Sequence, residues 1–210
     1  AALRDKTQQL LAEYDQLAQS IFLDMFGDPM SNPMGWKTVE FNKVLTLRRG
    51  FDLPLNSRIR GNYPLMASNG VLDYHKEYKV IGPGIVTGRS GTLGKVHLTH
   101  ENYWPLNTSL YSQDLKGNNP IFLLYLLKNF RVERFSRSTG VPTLNRNLIH
   151  SEKIFSIEIH LQHQFAEKIA LIERQKDLAK RELQESEDLF QALLQKAFHP
   201  AEKHDESELV

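Results

Sequence analysis

Hydrophobic positions fall into two different rhythms along the chain. Leu3, Thr7, Leu10, Tyr14, Leu17 and Ile21 recur at alternating steps of four and three residues. That is the 3.5-residue period of a coiled-coil seam, and it predicts one helix over residues 3–26. Leu11, Ala18, Phe22 and Met25 widen its apolar face, and Gly27 followed by Pro29 stops it. Residues 165–198 repeat the rhythm through Phe165, Ile169, Ile172, Lys176, Ala179, Leu183, Ser186, Phe190, Leu193 and Ala197. Lys176 and Ser186 are polar interruptions of the kind that fix register at some cost in stability. Pro200 ends this second helix, and the tail AEKHDESELV is acidic, almost free of apolar residues and expected to be disordered.

Between the helices the period shortens. WKTVEFNKVLTL, YPLMASNGVLDY, GIVTGRSGTLGKVHLT and NTSLYSQDL read as short strands rich in β-branched and aromatic residues, punctuated by Gly, Pro and Asn. PIFLLYLLKNFRVERF is apolar at helical spacing and should pack on the sheet, and Leu148–Phe155 reads as a further helical turn. KIFSIEIHL reads as a closing strand, with Ile154, Ser156, Glu158 and His160 opposite Phe155, Ile157, Ile159 and Leu161. The expected fold is α+β, one β-rich globule flanked by two long helices. Its expected parts are a coiled-coil helix over 1–28, the globule over 29–162, a second coiled-coil helix over 163–199 and the tail 200–210. Leu10, Leu17, Ile21, Ile169, Ile172, Leu183, Phe190 and Leu193 are the expected stalk and partner positions. Their apolar seams need covering. Antiparallel pairing within the chain is the simplest solution, pairing with another chain is the alternative, and the two can coexist.

Composition narrows the class. The chain has 210 residues and no cysteine, which excludes a disulfide framework and any thiolate metal site. No apolar run of roughly 18 residues exists, and AALRDKTQQL does not resemble a signal peptide, so a soluble cytoplasmic protein without membrane contact is expected. The net charge of +1 hides a division. Trp36 to His160 carries 17 Lys and Arg against 9 Asp and Glu, a net +8, while the remainder carries 9 against 16, a net −7. A basic globule between acidic helices suits a polyanion partner for the middle and protein partners for the ends.

The glycine-rich segment Gly82–Lys95 fails as a nucleotide loop. Arg89 stands where a Walker A motif needs glycine, and Val96 where it needs Ser or Thr. Its glycines suit hairpin turns and bulges instead. His160 and His163 have neither a cysteine nor a placed carboxylate pair to complete a metal site. Asn32-Pro33-Met34-Gly35 lacks the second proline and the aromatic of an adenine methyltransferase motif. No nucleophile with a base and no cofactor loop stands out, so a non-catalytic reader is expected.

Arginine and amide residues then carry the chemistry. Arg48, Arg49, Arg58 and Arg60 lie in what reads as a Gly-, Pro- and Asn-rich loop; Arg134, Arg137 and Arg146 surround the polar turn Ser136–Asn145. With Asn69, Lys76, Arg89, Lys95, Thr143 and Asn145 they form the candidate DNA contacts. Bidentate Arg reads guanine, Asn reads adenine, and half or more of such contacts go to phosphate and sugar.

The order of these segments resembles a known family. GIVTGRSGTLGKV followed by NTSLYSQDL, IFLLYLLKNF followed by STGVPTLNRNLIHSEKIFSIEIHLQHQFAEKIALI, and WKTVEFNKVLTLRRG are similar to the specificity subunit of type I restriction–modification systems. The resemblance implies a target-recognition domain reading double-stranded DNA and a helical stalk that docks modification (methyltransferase) subunits and, through them, a restriction subunit. It implies no cofactor in this chain, with S-adenosylmethionine and ATP held by partners. Full-length members carry two recognition domains, so a chain with one resembles a half-length form, and a homodimer would restore two half-sites. The alternative is a coiled-coil adaptor that binds protein and has no DNA specificity.

Overall fold

The structure, a computed structural model, describes residues 2–136 and 143–198. Arg137, the centre of the polar turn and the tail 200–210 lie outside the described residues. Packing divides the chain into two units: residues up to Ala18 together with those from Ala170, and Gln19–Ile169. The divisions fall inside the two long helices rather than at their ends.

The first unit is built from parts of α1 (Ala2–Phe26) and α4 (Ile159–Phe198). Arg4 Nη2 lies 2.8 Å from Glu187 Oε1. Asp15 lies farther along α1, and its partner Lys176 lies equally far back along α4, so the helices run antiparallel. The buried and half-buried positions agree. On α1 they are Thr7, Leu11, Tyr14 and Ala18; on α4, in reverse, they are Leu194, Glu187, Leu183, Ala179, Lys176 and Ile172. From Leu183 to Ile172 the spacing is four–three–four, the same as on α1, as matched antiparallel seams require. The expected seam therefore keeps Thr7 and Tyr14 on α1 but moves by one residue at Leu10 and Leu17. Leu10 and Leu17 are exposed, while the residues next to them, Leu11 and Ala18, face inward. Ser186 does not interrupt the seam either. It is exposed, and its hydroxyl donates to the Glu182 carbonyl of its own helix at 2.8 Å.

The second unit begins with an aromatic knot. Phe22 and Phe26 of α1, Phe165 of α4, and Phe122 and Tyr125 of α2 (Pro120–Phe130) meet largely edge to face, with ring centroids 5.2 to 6.4 Å apart. Such pairs contribute about 0.5–1.5 kcal/mol each beyond their buried area. Asn119 starts α2 by accepting the Ile121 N–H at 2.9 Å, Pro120 needs no such partner, and Arg131 ends the helix at φ 53°.

Three sheets follow. Strand β1 (Thr38–Glu40) pairs antiparallel with β9 (Lys153–Phe155) and joins the start of the domain to its end. A four-stranded sheet has the order β2 (Thr46–Arg49), β8 (Ser109–Asp114), β5 (Gly84–Gly88), β6 (Val96–Thr99). A three-stranded sheet has the order β4 (Gly70–His75), β3 (Tyr63–Ala67), β7 (Trp104–Pro105). Met66, Val86, Tyr103 and Tyr111 fill the space between these two sheets. Ser68 and Asn69 make the tight β3–β4 turn, and Gly70 opens β4 at φ 109°.

Three further expectations are corrected. Arg48 and Arg49 end strand β2 instead of lying in a loop, because they pair with Tyr111 and Leu110 of β8. KIFSIEIHL is a strand only over Lys153–Phe155, and α4 begins at Ile159. Gln162, Phe165, Ile169 and Ile172 are buried at helical spacing, and the apolar alternation of Ile157, Ile159 and Leu161 continues into that helix. Leu148–Phe155 is likewise split between α3 (Arg146–Ser151) and β9.

Candidate nucleic-acid interface

Two clefts open side by side in the second unit. The first is lined by Arg49, Arg89, Leu110, Thr143, Leu144, Asn145, Arg146 and Asn147. Its three guanidiniums arrive from separate stretches of chain: Arg49 from the end of β2, Arg89 from the turn after β5, and Arg146 from the first residue of α3. Main-chain bonds fix the approach. The Arg89 amide donates to Thr108 at 2.8 Å, and the Leu144 amide donates back to the Arg89 carbonyl at 2.8 Å. Thr143 bridges to Ser90. Asn145 spends its side-chain oxygen on the Asn147 amide, 3.0 Å away, which caps α3.

The second cleft is lined by Asp52, Leu53, Pro54, Leu55 and Arg58, by Ala67, Ser68, Asn69 and Leu72, and by Leu106, Asn107 and Thr108. A ridge joins it to the first. Arg89 Nη1 donates to the Asn107 carbonyl at 3.2 Å, Asn107 Nδ2 donates to Asp52 Oδ1, and Arg49 Nη2 lies 3.5 Å from the same carboxylate oxygen. The two clefts therefore form one surface, cationic at one end and of mixed polar and apolar character at the other.

The surface gathers seven of the residues expected to touch DNA: Arg49, Arg58, Asn69, Arg89, Thr143, Asn145 and Arg146. Arg48, Arg60, Lys76, Lys95 and Arg134 line neither cleft. Arg48 neighbours Arg49 on one strand and so points to the opposite face. Lys76 pairs with Glu77 at 3.6 Å. Arg134 is held by its own neighbourhood, its guanidinium 4.7 and 4.4 Å from the Phe130 and Phe135 ring centroids and 3.4 Å from Glu152. Asp52, Asn107, Thr108 and Asn147 join the surface without having been expected there. Asn107-Thr108 is legible in the sequence as a turn before β8, but an aspartate in an arginine-rich stretch gives no signal of its own.

The expected stalk residues also divide. Ile172 is buried and Leu183 half-buried in the first unit, whereas Leu10, Leu17, Phe190 and Leu193 are exposed. Ile21 and Ile169 belong to the second unit, half-buried and buried respectively.

One imidazole braces the cationic cleft. His150 Nε2 accepts the Leu47 amide at 3.0 Å and stacks on Phe41 with centroids 6.3 Å apart. Accepting that bond requires a neutral ring. Burial, with Arg146 close by, holds its pKa below the ordinary 6.5. Among the described residues no cluster of acidic and histidine side chains is arranged for a metal, and no helix is long and apolar enough to cross a membrane.

Residues 33–187 match the family described as type I restriction modification DNA specificity domain. No curated protein matches. Among solved structures, the S subunit of a type I restriction–modification system from M. genitalium superposes with a TM-score of 0.63 at 18% identity, over 93% of this chain and 55% of that one. The HsdS subunit from Thermoanaerobacter tengcongensis gives 0.59 at 16%, over 95% and 54%. A chain solved in work on complex assembly and conformational transition of the type I R-M system gives 0.63 at 16%, over 94% and 54%. At these identities the likeness is one of fold. The chain spans about half the length of the structures it matches.

Proposed function

Since the chain belongs to the type I restriction–modification DNA specificity domain family, whose part in those systems is recognition and not chemistry, we propose that it is the DNA-reading subunit of such a complex. The Gln19–Ile169 unit reads a half-site of a few base pairs in the major groove of double-stranded DNA. One observation carries this reading. Arg49, Arg89 and Arg146 come from three separate segments and line a single cleft. Guanidiniums converging in this way suit phosphate oxygens and the O6/N7 edge of guanine.

The helices serve the protein partners. Leu3, Leu10 and Leu17 lie seven residues apart on α1 and are all exposed; Leu171 and Leu178 repeat that spacing on α4, and Leu189, Phe190 and Leu193 extend the uncovered surface. Apolar rows of this length favour association. They would hold a second copy, giving a two-fold dimer with two half-sites, and modification subunits that recruit a restriction subunit. S-adenosylmethionine and ATP would be bound by those partners, in the cytoplasm.

Selection from a random duplex pool, with the full chain alone and with a modification subunit, tests the reading. A symmetric motif with a fixed gap is the expected result, and affinity should fall steeply with salt. No enrichment at low salt would sink the DNA reading and favour a coiled-coil adaptor that binds protein.

A further inference from the structure

The second cleft has a chemistry that phosphate binding does not use. Asp52 sits among arginines yet is exposed, with 68% of its side chain accessible. A carboxylate facing phosphates would be repelled by them. On a base edge it can only accept a hydrogen bond, so it needs an exocyclic amine, adenine N6 or cytosine N4. Asp52 Oδ1 is occupied by Asn107 and Arg49, while Oδ2 has no partner among the described residues. Across the cleft, Asn69 is exposed, and its side-chain amide has no partner among the described residues. Its Nδ2–H can donate to adenine N7, which leaves the one free N6–H to the carboxylate.

The apolar wall decides between the two amines. Leu55 and Leu72 line the same cleft and are 78% and 57% exposed. In the major groove the C5 methyl of thymine gives such side chains something to cover, and an A·T pair presents that methyl beside the adenine amine. A C·G pair offers an amine and no methyl. We infer that the cleft formed by Asp52, Asn69, Asn107, Leu55 and Leu72 reads one A·T pair, with Asp52 accepting the free adenine N6–H, Asn69 donating to adenine N7 and Leu72 on the thymine methyl. The inference rests on the DNA-reading proposal and gives that surface a division of labour. The guanidinium cleft serves phosphate and guanine, and its neighbour serves A·T.

The test uses the full chain and the random duplex pool. The wild-type motif should hold an A·T pair at one position. Asp52→Ala should flatten preference at that position by roughly tenfold, more than at any other position, and keep or raise affinity for unrelated duplex because a negative charge is gone. Replacing the selected thymine by deoxyuridine removes only the methyl; wild-type binding should weaken, and Leu72→Ala should be indifferent to the change. Thermal melts matching wild type establish that both variants fold. Enrichment that Asp52→Ala leaves unchanged at every position, or equal wild-type affinity for thymine and deoxyuridine duplexes, overturns this inference alone. A wild-type chain that enriches nothing overturns the DNA-reading proposal and this inference with it.

Discussion

Lys176 of α4 reaches Asp15 of α1 at 2.7 Å while its own stem lies in the seam between the two helices, with only 13% of the side chain exposed. Burial works against the ammonium, but hydrogen bonds to Asp15 and Glu173 prevail and raise its pKa. A lysine at a seam position that must find an acid on the facing helix selects one register among those that apolar packing would accept. A double-mutant cycle with Lys176→Ala and Asp15→Ala should give a coupling of about 0.5–1 kcal/mol that shrinks in high salt. Additive effects would mean that the pair does not set the register.

Gln162 is wholly buried at the start of α4. Its Oε1 accepts the Asn119 amide at 2.8 Å, and its Nε2 donates to Asn118 Oδ1 at 2.7 Å and to the Ile157 carbonyl at 2.8 Å. The side chain thereby ties the first turn of α4 to the cap of α2. Gln162→Ala leaves buried groups unmatched and should lower unfolding free energy by about 2–4 kcal/mol, measured by urea denaturation. Gln162→Glu should do no better, because a carboxylate would face two acceptors. A wild-type midpoint for either variant would contradict this role.

Stability should depend on pH through His150. Its pKa is lowered in the fold, first by burial and then by Arg146. The neutral ring is therefore favoured by folding. Its contribution is full above about pH 6.5, the unfolded value, and is lost as pH falls through the lower folded value. His150→Gln keeps an acceptor near the Leu47 amide and cannot titrate, so its melting temperature should fall less steeply below pH 6.5. His97, also lowered by burial and by the nearby Lys95 and Lys128, leaves a residual slope. Parallel curves for the two proteins would remove His150 as the source.

The arginines should separate by role. Arg49→Ala and Arg146→Ala should each reduce the slope of log affinity against log salt by about 0.9 for every phosphate left without its cation, with little change in melting temperature. Arg134→Ala should leave the slope alone and cost about 0.5–1 kcal/mol of stability, from its stacking on Phe130 and Phe135. If Arg134→Ala instead flattened the salt dependence, the interface would extend beyond the two clefts.

Local signals carry the fold where one residue type dictates one geometry. Asn119-Pro120 announces α2, and Ser68-Asn69-Gly70 announces the β3–β4 hairpin. The α1 seam is ambiguous in sequence because Leu3, Leu10 and Leu17 keep the same period as Leu11, Ala18 and Met25. Phe22 and Phe26 settle the rotation, since they must enter the aromatic knot and their face of the helix follows. The end of the domain misleads for a related reason. Ile157, Ile159 and Leu161 satisfy a strand pattern as well as the first turn of a helix, and the choice depends on Gln162 and Phe165 finding their buried partners. Arginine-rich segments are legible as such. Their convergence is not, because Arg49, Arg89 and Arg146 meet only through the β2–β8–β5 ladder and the packing of α3 beside it. The Asp52–Asn107 link depends on the same tertiary neighbourhood.

The Leu47–His150 bond has a consequence for how tightly the cationic cleft can bind. Leu47 stands two residues before Arg49 on β2, and His150 one helical turn after Arg146 on α3. The backbones that carry the two arginines are thus fastened together before any ligand arrives. Fewer degrees of freedom remain to be frozen on association, and more of each interaction appears as affinity. The same fastening makes the cleft selective about span, because two fixed anchors accept phosphates or base edges at one separation and reject those at others.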